Sequence, residues 1–551
     1  MLNLTLNEDQ KLAIKSLLVF LKTQDKFFIL KGCAGTGKST IITYLLEHSN
    51  FRKKKIAMTA TTNKAVSVLE SFMIKDKNLV FLTIHKLLKM KRKIDVNGIQ
   101  QYVSNLENEN WELNKNNSIY DFDIIIIDEA SMITKEIIQK LTYLSNNIKG
   151  KIIFIGDKYQ LPPVNENSSN VFNLKIPGSE LKIVMRSKGN LTAFSDEIRK
   201  VVIDPTYKIK IKLYLSDNLQ KFKNHDKWIE NYLEKYKLGL NPIMLSYTNN
   251  RCLENNLSIR SKLFDNHNDK FVENELIVFN KFYQSIHKKN FYTSQQSKIK
   301  KILLEEMDIK NINFTSILNL KINLKKTDNL DPMIKEVNGV EINCPICYED
   351  VVDFTIETRC KHYFCAGCIK LWLEKNNDCP YCRVSLKHTT GDICVKEDPE
   401  LTSLLMDIKE KTTGIKYKCY NIELFNSTFS DPNFITVIHE DSIEKYKNDI
   451  LFIIDSLKNI KNHVDKKKYV NNFIKIFLNR LWEFYYTNFY DVFAEISYGY
   501  CITVHKSQGS TFKDVFVDFK NILNVNYKFK DKYKCLYTAI SRAAESLSIL
   551  L

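Results

Sequence analysis

KFFILKGCAGTGKST, residues 26–40, decides the fold of the first third of this 551-residue chain. The apolar run at 26–31 predicts a strand, and the stretch IITYLLEH after Thr40 predicts a helix. The loop between them fits the pattern G-x-x-x-x-G-K-[ST], whose glycines let backbone N–H groups turn around phosphates at a helix N-terminus. The stretch predicts an α/β domain that binds a nucleoside triphosphate, with Lys38 at the β- and γ-phosphates and Ser39 on Mg²⁺. The loop residues expected at the nucleotide are Gly32, Cys33, Ala34, Gly35, Thr36, Gly37, Lys38, Ser39 and Thr40.

A carboxylate pair follows a second apolar strand. Four consecutive isoleucines at 124–127 predict a strand buried on both faces, and Asp128 and Glu129 come at its C-terminal end, where open α/β sheets bind ligands. We expect Asp128 to hold Mg²⁺ through water and Glu129 to orient and deprotonate the attacking water. A third apolar strand, KIIFIGD, leads to Gln160, which is placed to sense the γ-phosphate.

The order of these stretches resembles a known family. LNEDQ, GCAGTGKST, TATTNKAV, TIHKLL, IIIIDEAS and GDKYQLPPV are similar to the motifs of superfamily 1 helicases and of their RecD/Dda-like branch. The resemblance implies two RecA-like P-loop NTPase domains that use ATP and Mg²⁺ to move along single-stranded DNA, usually 5′ to 3′, and to unwind tailed duplexes. It also places Gln10 at adenine and puts a set of polar residues along the strand: Thr59, Thr62, Asn63 and His85.

Similar motifs mark a second, divided domain. They are LKIVMR at 181–186, IMLSYTNN at 243–250, YCITVHKSQGST at 500–511 and YTAISRA at 537–543. Phosphoryl transfer needs a cation on its developing charge, and Arg542 is the first candidate and Arg186 the second. Gln508 and Gly509 are assigned to the nucleotide side, and Thr503 and His505 to the nucleic-acid side.

A hairpin is predicted inside the first domain, at about 88–118. The stretch KMKRKIDVNGIQQYV contains Asn97-Gly98 between β-type residues, which is a strong signal for a two-residue turn. In the family a hairpin inserted here is the strand-separating pin. An ordinary surface hairpin is the alternative.

Eight potential metal ligands lie in the second half of the chain. Their pattern is Cys344-x₂-Cys347-x₁₂-Cys360-x-His362-x₂-Cys365-x₂-Cys368-x₁₀-Cys379-x₂-Cys382, which predicts two closed Zn²⁺ sites. The pattern looks like a RING finger. That resemblance implies alternating pairs: Cys344, Cys347, Cys365 and Cys368 hold one ion, and Cys360, His362, Cys379 and Cys382 hold the other.

Two functions remain open for this module. It is either a ubiquitin ligase that binds a ubiquitin-conjugating enzyme, or a zinc-stapled spacer or protein-docking module. Four positions match the active type in the RING family. Ile346, Trp372 and Pro380 would dock the conjugating enzyme, and Arg383 would bridge enzyme and ubiquitin.

The predicted boundaries place insertions inside the second motor domain. The first RecA-like domain is 1–178, and the second is 179–270 together with 495–551. Between them lie 271–338, in which FVENELIVFNKFY could begin a small β-barrel, the RING finger at 339–388, and a helical or mixed insertion at 389–494. A late aromatic stripe is interpreted as core rather than as a base-stacking surface: Trp482, Phe484, Tyr485, Tyr486 and Tyr490.

Composition narrows the setting. Lys+Arg 81 against Asp+Glu 64 gives a net charge of +17, which suits a polyphosphate partner but would also arise in an AT-rich genome. Seven of the 13 cysteines lie between Cys344 and Cys382, which favours metal ligation in a reducing compartment over disulfides. No apolar run of about 18 residues and no signal peptide are found, so we expect no membrane association. The expected location is the nucleus or cytoplasm of a eukaryotic cell, or of a virus-infected one, because ubiquitin must be present.

Two alternative functions remain at this stage. The first is an RNA helicase, since no motif reads a 2′-hydroxyl. The second is a RING ubiquitin ligase or interaction protein whose ATPase is only a nucleic-acid-gated clamp.

Overall fold

Continuous apolar runs form the central strands of the first motor domain. In the computed structural model every residue of the strands at Ile56–Ala60 and Ile124–Ile127 is buried, as expected for a parallel sheet covered on both faces. The structure describes residues 6–48, 51, 53–73, 76–94, 100–104, 118–163, 166, 168–185, 189–309, 334–337, 342–351, 355–358, 360–376, 378–383, 398–425, 433–466, 471–524 and 529–551.

The first domain is a six-stranded parallel sheet with helices on both faces. Its elements are α1 (Glu8–Phe20), β1 (Phe27–Gly32), α2 (Lys38–Glu47), β2 (Ile56–Ala60), α3 (Asn63–Phe72), β3 (Leu79–Thr83), α4 (Ile84–Leu87), β4 (Met90–Ile94), β5 (Gln100–Ser104), β6 (Ile124–Ile127), α5 (Lys135–Ser145), β7 (Lys151–Gly156) and β8 (Gly178–Leu181). The strand order is β3-β2-β6-β7-β1-β8. Because β8 pairs with β1 and Leu181 lies in the first core, this domain extends past the predicted boundary at residue 178.

The predicted hairpin is present as β4 and β5. The two strands pair antiparallel with Ile94 opposite Gln100 and form a separate two-stranded sheet. Its turn, Asn97-Gly98, lies outside the described residues.

The second domain begins with α6 (Asn190–Ile203), β9 (Leu219–Phe222), α7 (His225–Lys237), β10 (Ile243–Ser246) and α8 (Asn249–Leu263). The chain then leaves this domain and returns to it about 240 residues later. Its parallel sheet has the order β23-β10-β24-β25-β9, so strands from before and after the intervening segment are combined in one layer. The two RecA-like sheets confirm the predicted fold class.

The intervening segment forms a sheet, a zinc module and a helical unit. The elements before the module are β11 (Leu276–Phe279), β12 (Tyr283–Gln284), β13 (Asn290–Phe291) and β14 (Gln296–Asp308). The module contains β15 (Ile334–Val337), β16 (Ile342–Asn343), β17 (Asp350–Val351), β18 (Thr355–Thr358), β19 (Tyr363–Cys365) and α9 (Ala366–Lys375). Because β15 pairs with β18, the module begins before the predicted residue 339. The Asn338-Gly339 turn lies outside the described residues.

After the module come α10 (Pro399–Thr412), β20 (Lys416–Leu424), β21 (Asn433–Ile438), α11 (Glu440–Lys466), α12 (Asn471–Tyr485) and β22 (Ile496–Tyr498). The chain closes with β23 (Cys501–Thr503), β24 (Phe512–Asp518), α13 (Phe519–Leu523), α14 (Phe529–Ile540) and β25 (Ala543–Leu550). Shorter turns occur at Ile119–Asp121, Ala130–Met132, Asn170–Asn173, Ile211–Tyr214, Tyr486–Tyr490 and His505–Ser507.

An antiparallel sheet of five strands draws on both sides of the zinc module. Its order is β21-β20-β14-β11-β22, so 271–338 and 389–494 do not form separate units as predicted. The stretch FVENELIVFNKFY does supply its first strand, β11. The two segments form one unit because β14 and β20 pair in a long ribbon from Ile299 to Asp308.

Helices α10, α11 and α12 pack into a core of their own. Trp482 and Tyr485 are buried in it, and Phe484 and Tyr486 pack against it, as the core interpretation of the aromatic stripe predicts. Tyr490 keeps 38% of its surface exposed. None of the helices in the described parts of the chain combines the length and apolarity needed to cross a membrane.

Candidate functional site

The phosphate-binding loop connects β1 to α2. Gly37 precedes α2 with φ +85°, and a Cβ there would lie 2.3 Å from the Gln10 side-chain nitrogen, so only glycine fits this position. The Lys38 ammonium donates to the carbonyls of Gly32 at 2.8 Å and Cys33 at 2.9 Å. The helix N-terminus, the loop N–H groups and this ammonium form a site suited to an anion. Ser39 is exposed at the start of α2.

Gln10 lies against the same loop. Asn7 and Gln10 form a reciprocal capping box that starts α1, and the Gln10 amide donates to Thr36 O at 3.1 Å. Its side chain is buried next to Gly37. Contact of Gln10 with adenine stays a prediction.

The carboxylate pair lies at the end of β6. Glu129 adopts the left-handed region with φ +49°, which is uncommon for a residue with a side chain, and its N–H donates to Asp128 Oδ1 at 2.8 Å. Removal from water, together with the charge of Glu129, raises the pKa of Asp128 to about 6, although the Glu129 N–H and Lys38 oppose the shift. A cation at this position would favour the ionised form and reverse the shift.

Arg542 reaches this carboxylate pair from the second domain. Its Nη1 lies 3.9 Å from Glu129 Oε1. The buried guanidinium also donates to Thr538 O at 3.1 Å, to Ser510 O at 3.2 Å and to the Ser541 hydroxyl at 3.1 Å. Arg186, the second candidate, lies outside the described residues. The preceding residue, Met185, donates its N–H to Gly35 O at 2.8 Å, so the chain reaches the loop directly before Arg186.

The turn after β7 is held by the second domain through its main chain. Leu161 N–H donates to the Thr538 hydroxyl at 3.0 Å, and the Gln508 amide donates to Leu161 O at 3.3 Å. The Leu161 side chain belongs to the core of the second domain. The neighbouring Gln160 is buried, and within the described residues its Oε1 has no hydrogen-bond partner. Gln160 therefore has a side-chain acceptor available to a ligand. Gln508 holds the main chain of the turn that carries Gln160, through Leu161 O.

Two residues expected along a nucleic-acid strand have other roles. Thr59 was predicted to contact the strand, but it is fully buried in β2 and donates its hydroxyl to Ile126 O at 3.2 Å. The hydroxyl is enclosed by the sheet and is not available to a strand in this arrangement, so a contact of Thr59 with nucleic acid stays a prediction. Thr503 is also buried, and its hydroxyl accepts the Lys506 N–H at 3.3 Å.

Four other polar residues of these motifs keep partly exposed side chains. They are Thr62, Asn63, His85 and His505. The Thr62 hydroxyl caps α3 by accepting the Ala65 N–H at 3.2 Å. Gly509 crosses the boundary to meet α3, since a Cβ there would lie 3.0 Å from Ala65 Cβ. Burial lowers the pKa of both His85 and His505, so both imidazoles are neutral near pH 7.

The zinc module brings its eight candidate ligands into two groups. Within each group the ligand atoms lie within 4.8 Å of one another, and the groups are Cys344, Cys347, Cys365, Cys368 and Cys360, His362, Cys379, Cys382. Atoms about 2.0–2.3 Å from one tetrahedral Zn²⁺ are separated by about 3.5–3.8 Å. The Cys347–Cys365 Sγ separation of 3.9 Å and the Cys379 Sγ to His362 Nδ1 separation of 3.7 Å fit that geometry. The thiolate and imidazole donors also suit Zn²⁺.

Three of the four positions singled out in the sequence, Trp372, Pro380 and Arg383, lie next to the second zinc group, whereas Ile346 lies between two ligands of the first group. The Trp372 indole N–H donates to Asp378 O at 3.0 Å, which fixes its ring. The Arg383 guanidinium lies 5.3 Å from the Trp372 ring centre and 3.6 Å from Asp378, and it is 65% exposed. Ile346, between Cys344 and Cys347, and Pro380, between Cys379 and Cys382, are partly buried. Leu371 adds an apolar side chain that is 64% exposed.

Three family models match separate parts of the chain. Residues 15–166 match an AAA domain, residues 498–550 match a UvrD-like helicase C-terminal domain, and residues 342–383 match a Ring finger domain. The chain carries the motor domains of a superfamily 1 helicase and a RING finger. The RING finger is inserted between the two parts of the second motor domain.

Relatives of the helicase cover different shares of it. An uncharacterized protein of Acanthamoeba polyphaga mimivirus is 26% identical over 99% of each chain. The RecBCD enzyme subunit RecD of Buchnera aphidicola is 29% identical over 54% of this chain, which spans only 53% of that relative. The E3 ubiquitin-protein ligase RNF126 of Homo sapiens is 36% identical over 75 residues, which are 13% of this chain and 23% of that protein.

The structure adds residues of the helicase cleft that sequence analysis did not assign. Arg199 on α6 donates to Cys33 Sγ at 2.7 Å and pairs with Asp196 at 3.0 Å. Tyr537 on α14 donates to Asp157 Oδ2 at 2.6 Å and accepts the Ala34 N–H at 3.2 Å. Tyr537 and Thr538 lie inside YTAISRA, so that motif could have indicated them. Arg199 belongs to an ordinary amphipathic helix, and its sequence carries no comparable signal.

Proposed function

We propose that this helicase hydrolyses ATP to move 5′ to 3′ along single-stranded DNA and to separate duplexes. The observation that carries the proposal is the cleft in which Lys38 and the Asp128–Glu129 pair face Arg542 from the other domain. Facing lobes of this kind close on a triphosphate and open after hydrolysis. DNA is proposed from the resemblance of the motifs to the RecD/Dda-like branch.

Each side chain of the cleft has a distinct role in the proposed reaction. Ser39 and Asp128 would hold Mg²⁺, which neutralises phosphate charge when it is bound. Lys38 would turn from the Gly32 and Cys33 carbonyls to the phosphates, and Glu129 would accept the proton of the attacking water. Arg542 would stabilise the charge that develops on the transferred phosphoryl group.

Movement along DNA would follow from closure. Gly509 and the Leu161 turn tie the second domain to α3 and β7 of the first domain when the cleft is closed. If both domains grip the strand, closing and opening shifts one grip relative to the other. The β4–β5 hairpin, which forms a separate two-stranded sheet, is proposed as the strand-separating pin.

Strand separation on tailed duplexes tests this function. Matched DNA and RNA duplexes with 5′ or 3′ single-stranded tails are incubated with ATP and wild type, or with Lys38→Ala. We expect wild type to open only the 5′-tailed DNA duplex, and Lys38→Ala to open none. Opening of RNA alone would identify an RNA helicase. Binding without opening in wild type would favour a nucleic-acid-gated clamp.

For the RING finger we propose ubiquitin ligase activity with a ubiquitin-conjugating enzyme as partner. The support is the rigid Trp372, the exposed Leu371 and an Arg383 guanidinium that remains largely exposed while it lies over the indole. The apolar Trp372 and the adjacent Arg383 cation match the docking and bridging roles that the resemblance to the RING family implies for these positions. The name of RNF126, a ubiquitin ligase, applies to that whole protein, whereas the similarity covers only 75 residues, 23% of its length.

Autoubiquitination with a panel of conjugating enzymes tests the second activity. Wild type should form ubiquitin conjugates, and Arg383→Ala should form few. Lys361→Gln, which removes an exposed cation from the same module, serves as the matched control and should behave as wild type. No conjugates with any enzyme of the panel would leave the module as a structural or docking element.

A further inference from the structure

Tyr537 crosses the domain boundary and touches two parts of the nucleotide site. Its phenol donates to Asp157 Oδ2 at 2.6 Å and accepts the Ala34 N–H of the phosphate-binding loop at 3.2 Å. The residue is 1% exposed, so this hydroxyl has no access to bulk water in the closed cleft. A buried phenol requires such partners, and both of them are supplied by the opposite domain.

The two partners of Tyr537 belong to elements that shape the site. Ala34 is in the loop between β1 and α2. Asp157 directly follows β7, and its other oxygen accepts the Tyr159 N–H at 3.0 Å, while its carbonyl accepts the Gln160 N–H at 3.3 Å. The Asp157 carboxylate therefore fixes the turn that presents Gln160, and Tyr537 links this turn to the loop.

One segment of the second domain gathers all of these contacts. Tyr537 and Thr538 lie on α14 and hold Ala34, Asp157 and Leu161, and Arg542, two residues after the helix, approaches Glu129. Because α14 packs in the core of the second domain, it moves with that domain. If the cleft opens, the phenol loses both partners together.

We propose that Tyr537 is a positioning residue that sets the phosphate-binding loop and the Gln160 turn when the two domains close. This inference rests on the proposed ATPase motor and adds a residue through which closure acts on the site. The hydroxyl does not touch the reacting atoms. It joins Ala34 to Asp157 only in the closed arrangement, so its contribution belongs to turnover rather than to the first binding of nucleotide. Burial, with the nearby Asp157 charge, raises the pKa of Tyr537 well above its ordinary value, so the phenol stays protonated and able to donate.

Tyr537→Phe keeps the ring and removes both hydrogen bonds. Loss of a hydrogen bond to a charged group predicts a fall in the kcat for ATP, with single-stranded DNA present, of about tenfold or more. The KM for ATP should stay close to that of wild type, because loop and Lys38 contacts form before closure. This split between kcat and KM is what a purely structural tyrosine would not produce.

Tyr232→Phe is the matched control. Tyr232 is equally buried, and its hydroxyl donates at 2.9 Å to Pro242 O within its own domain. We expect it to lower the unfolding temperature about as much as Tyr537→Phe while leaving kcat unchanged.

Three results would count against the inference. Wild-type kcat in Tyr537→Phe, or an equal fall in kcat in both variants, would overturn the role of Tyr537 while the motor stands. Absence of DNA-stimulated ATP hydrolysis in wild type would overturn the proposed motor and the role of Tyr537 with it.

Discussion

Replacing Arg542 with alanine tests the two-domain cleft most directly. The guanidinium makes three hydrogen bonds, to Thr538 O, Ser510 O and the Ser541 hydroxyl, and lies 3.9 Å from Glu129 Oε1. At about 1 kcal/mol for each hydrogen bond, their loss lowers the free energy of unfolding by about 3 kcal/mol. Loss of the cation from the phosphoryl-transfer transition state lowers kcat by about 10³-fold or more.

The two effects are separable because they differ in size and in the quantity measured. A domain with about 5–15 kcal/mol of stability remains almost wholly folded after a loss of about 3 kcal/mol. The rate of ATP turnover with single-stranded DNA is therefore measured per folded molecule, and the unfolding temperature is measured in parallel. Arg542→Lys keeps the charge without the planar guanidinium, and we expect an intermediate rate.

Arg251 provides the control for the Arg542 experiment. It lies in the second domain, is 26% exposed, and pairs with Asp518 at 2.7 Å and Glu254 at 3.0 Å. Arg251→Ala should lower the unfolding temperature and leave the ATP turnover rate unchanged. If Arg542→Ala turned over ATP at the wild-type rate while it unfolded earlier, Arg542 would be a structural cation and the cleft would lack its proposed finger.

Three further predictions concern acid, zinc and a second arginine. If Asp128 holds Mg²⁺ as proposed, the affinity for an ATP analogue with Mg²⁺ should fall as pH falls through about 6, the pKa of Asp128. Without nucleotide the sign is opposite, because a raised carboxyl pKa makes stability fall as pH rises from the ordinary value of 3.8 to about 6. Titrations of both quantities check these signs, and Asp128→Asn should flatten them. Chelation of zinc should unfold the RING finger, since its buried apolar core is little more than Ile356, Phe364 and Ile369, and should leave ATP turnover intact; tryptophan fluorescence and the ATPase rate report the two parts separately. Arg199→Gln should weaken binding of a non-hydrolysable ATP analogue more than binding of ADP, as measured by calorimetry, and equal losses for both nucleotides would assign Arg199 to loop packing.

Sequence motifs could predict that Lys38, Asp128 and Glu129 follow the ends of strands of one sheet, because each residue is fixed by a short local structure. Lys38 begins a helix after a glycine-rich loop, and Glu129 follows a strand of four isoleucines. In both cases the strand end determines where the side chain lies. The zinc ligands were readable for a similar reason, since knuckle spacing alone brings thiolates together.

Contacts that depend on tertiary packing were not readable in the same way. Thr59 occupies a motif position, but strand alternation and the partner β6 turn its hydroxyl to Ile126 O, which sequence order does not reveal. Arg199 and Asp157 meet the loop and Tyr537 only because two separate sheets face each other. Such pairs lie 166 and 380 residues apart in the chain, so no local pattern specifies them.

The domain boundaries failed for a topological reason, and that reason explains how the helicase accommodates its RING finger. The segment inserted into the second motor domain is closed at its base, where β11 and β22 pair with Ile277 opposite Tyr498. A second closure lies at the far end of the β14–β20 ribbon, where Ile309 N–H donates to Ile415 O at 3.1 Å. Each insertion therefore leaves and returns at adjacent points of an antiparallel pair.

Paired strands at the point where an insertion leaves and re-enters a domain keep the free-energy cost of the insertion small. The entropic cost of joining two ends grows only slowly with the length of chain between them, by about 0.6 kcal/mol for each doubling. Once β11 meets β22, the sheet beyond them adds its own buried core rather than disturbing the motor. The same argument holds one level further out, because Ile309 and Ile415 both enter the helical core from which the RING finger departs. A sequence shows the RING finger as an interruption of a motor domain, but in the fold it is carried at the end of the β14–β20 ribbon, which belongs to the antiparallel sheet and not to the motor sheet.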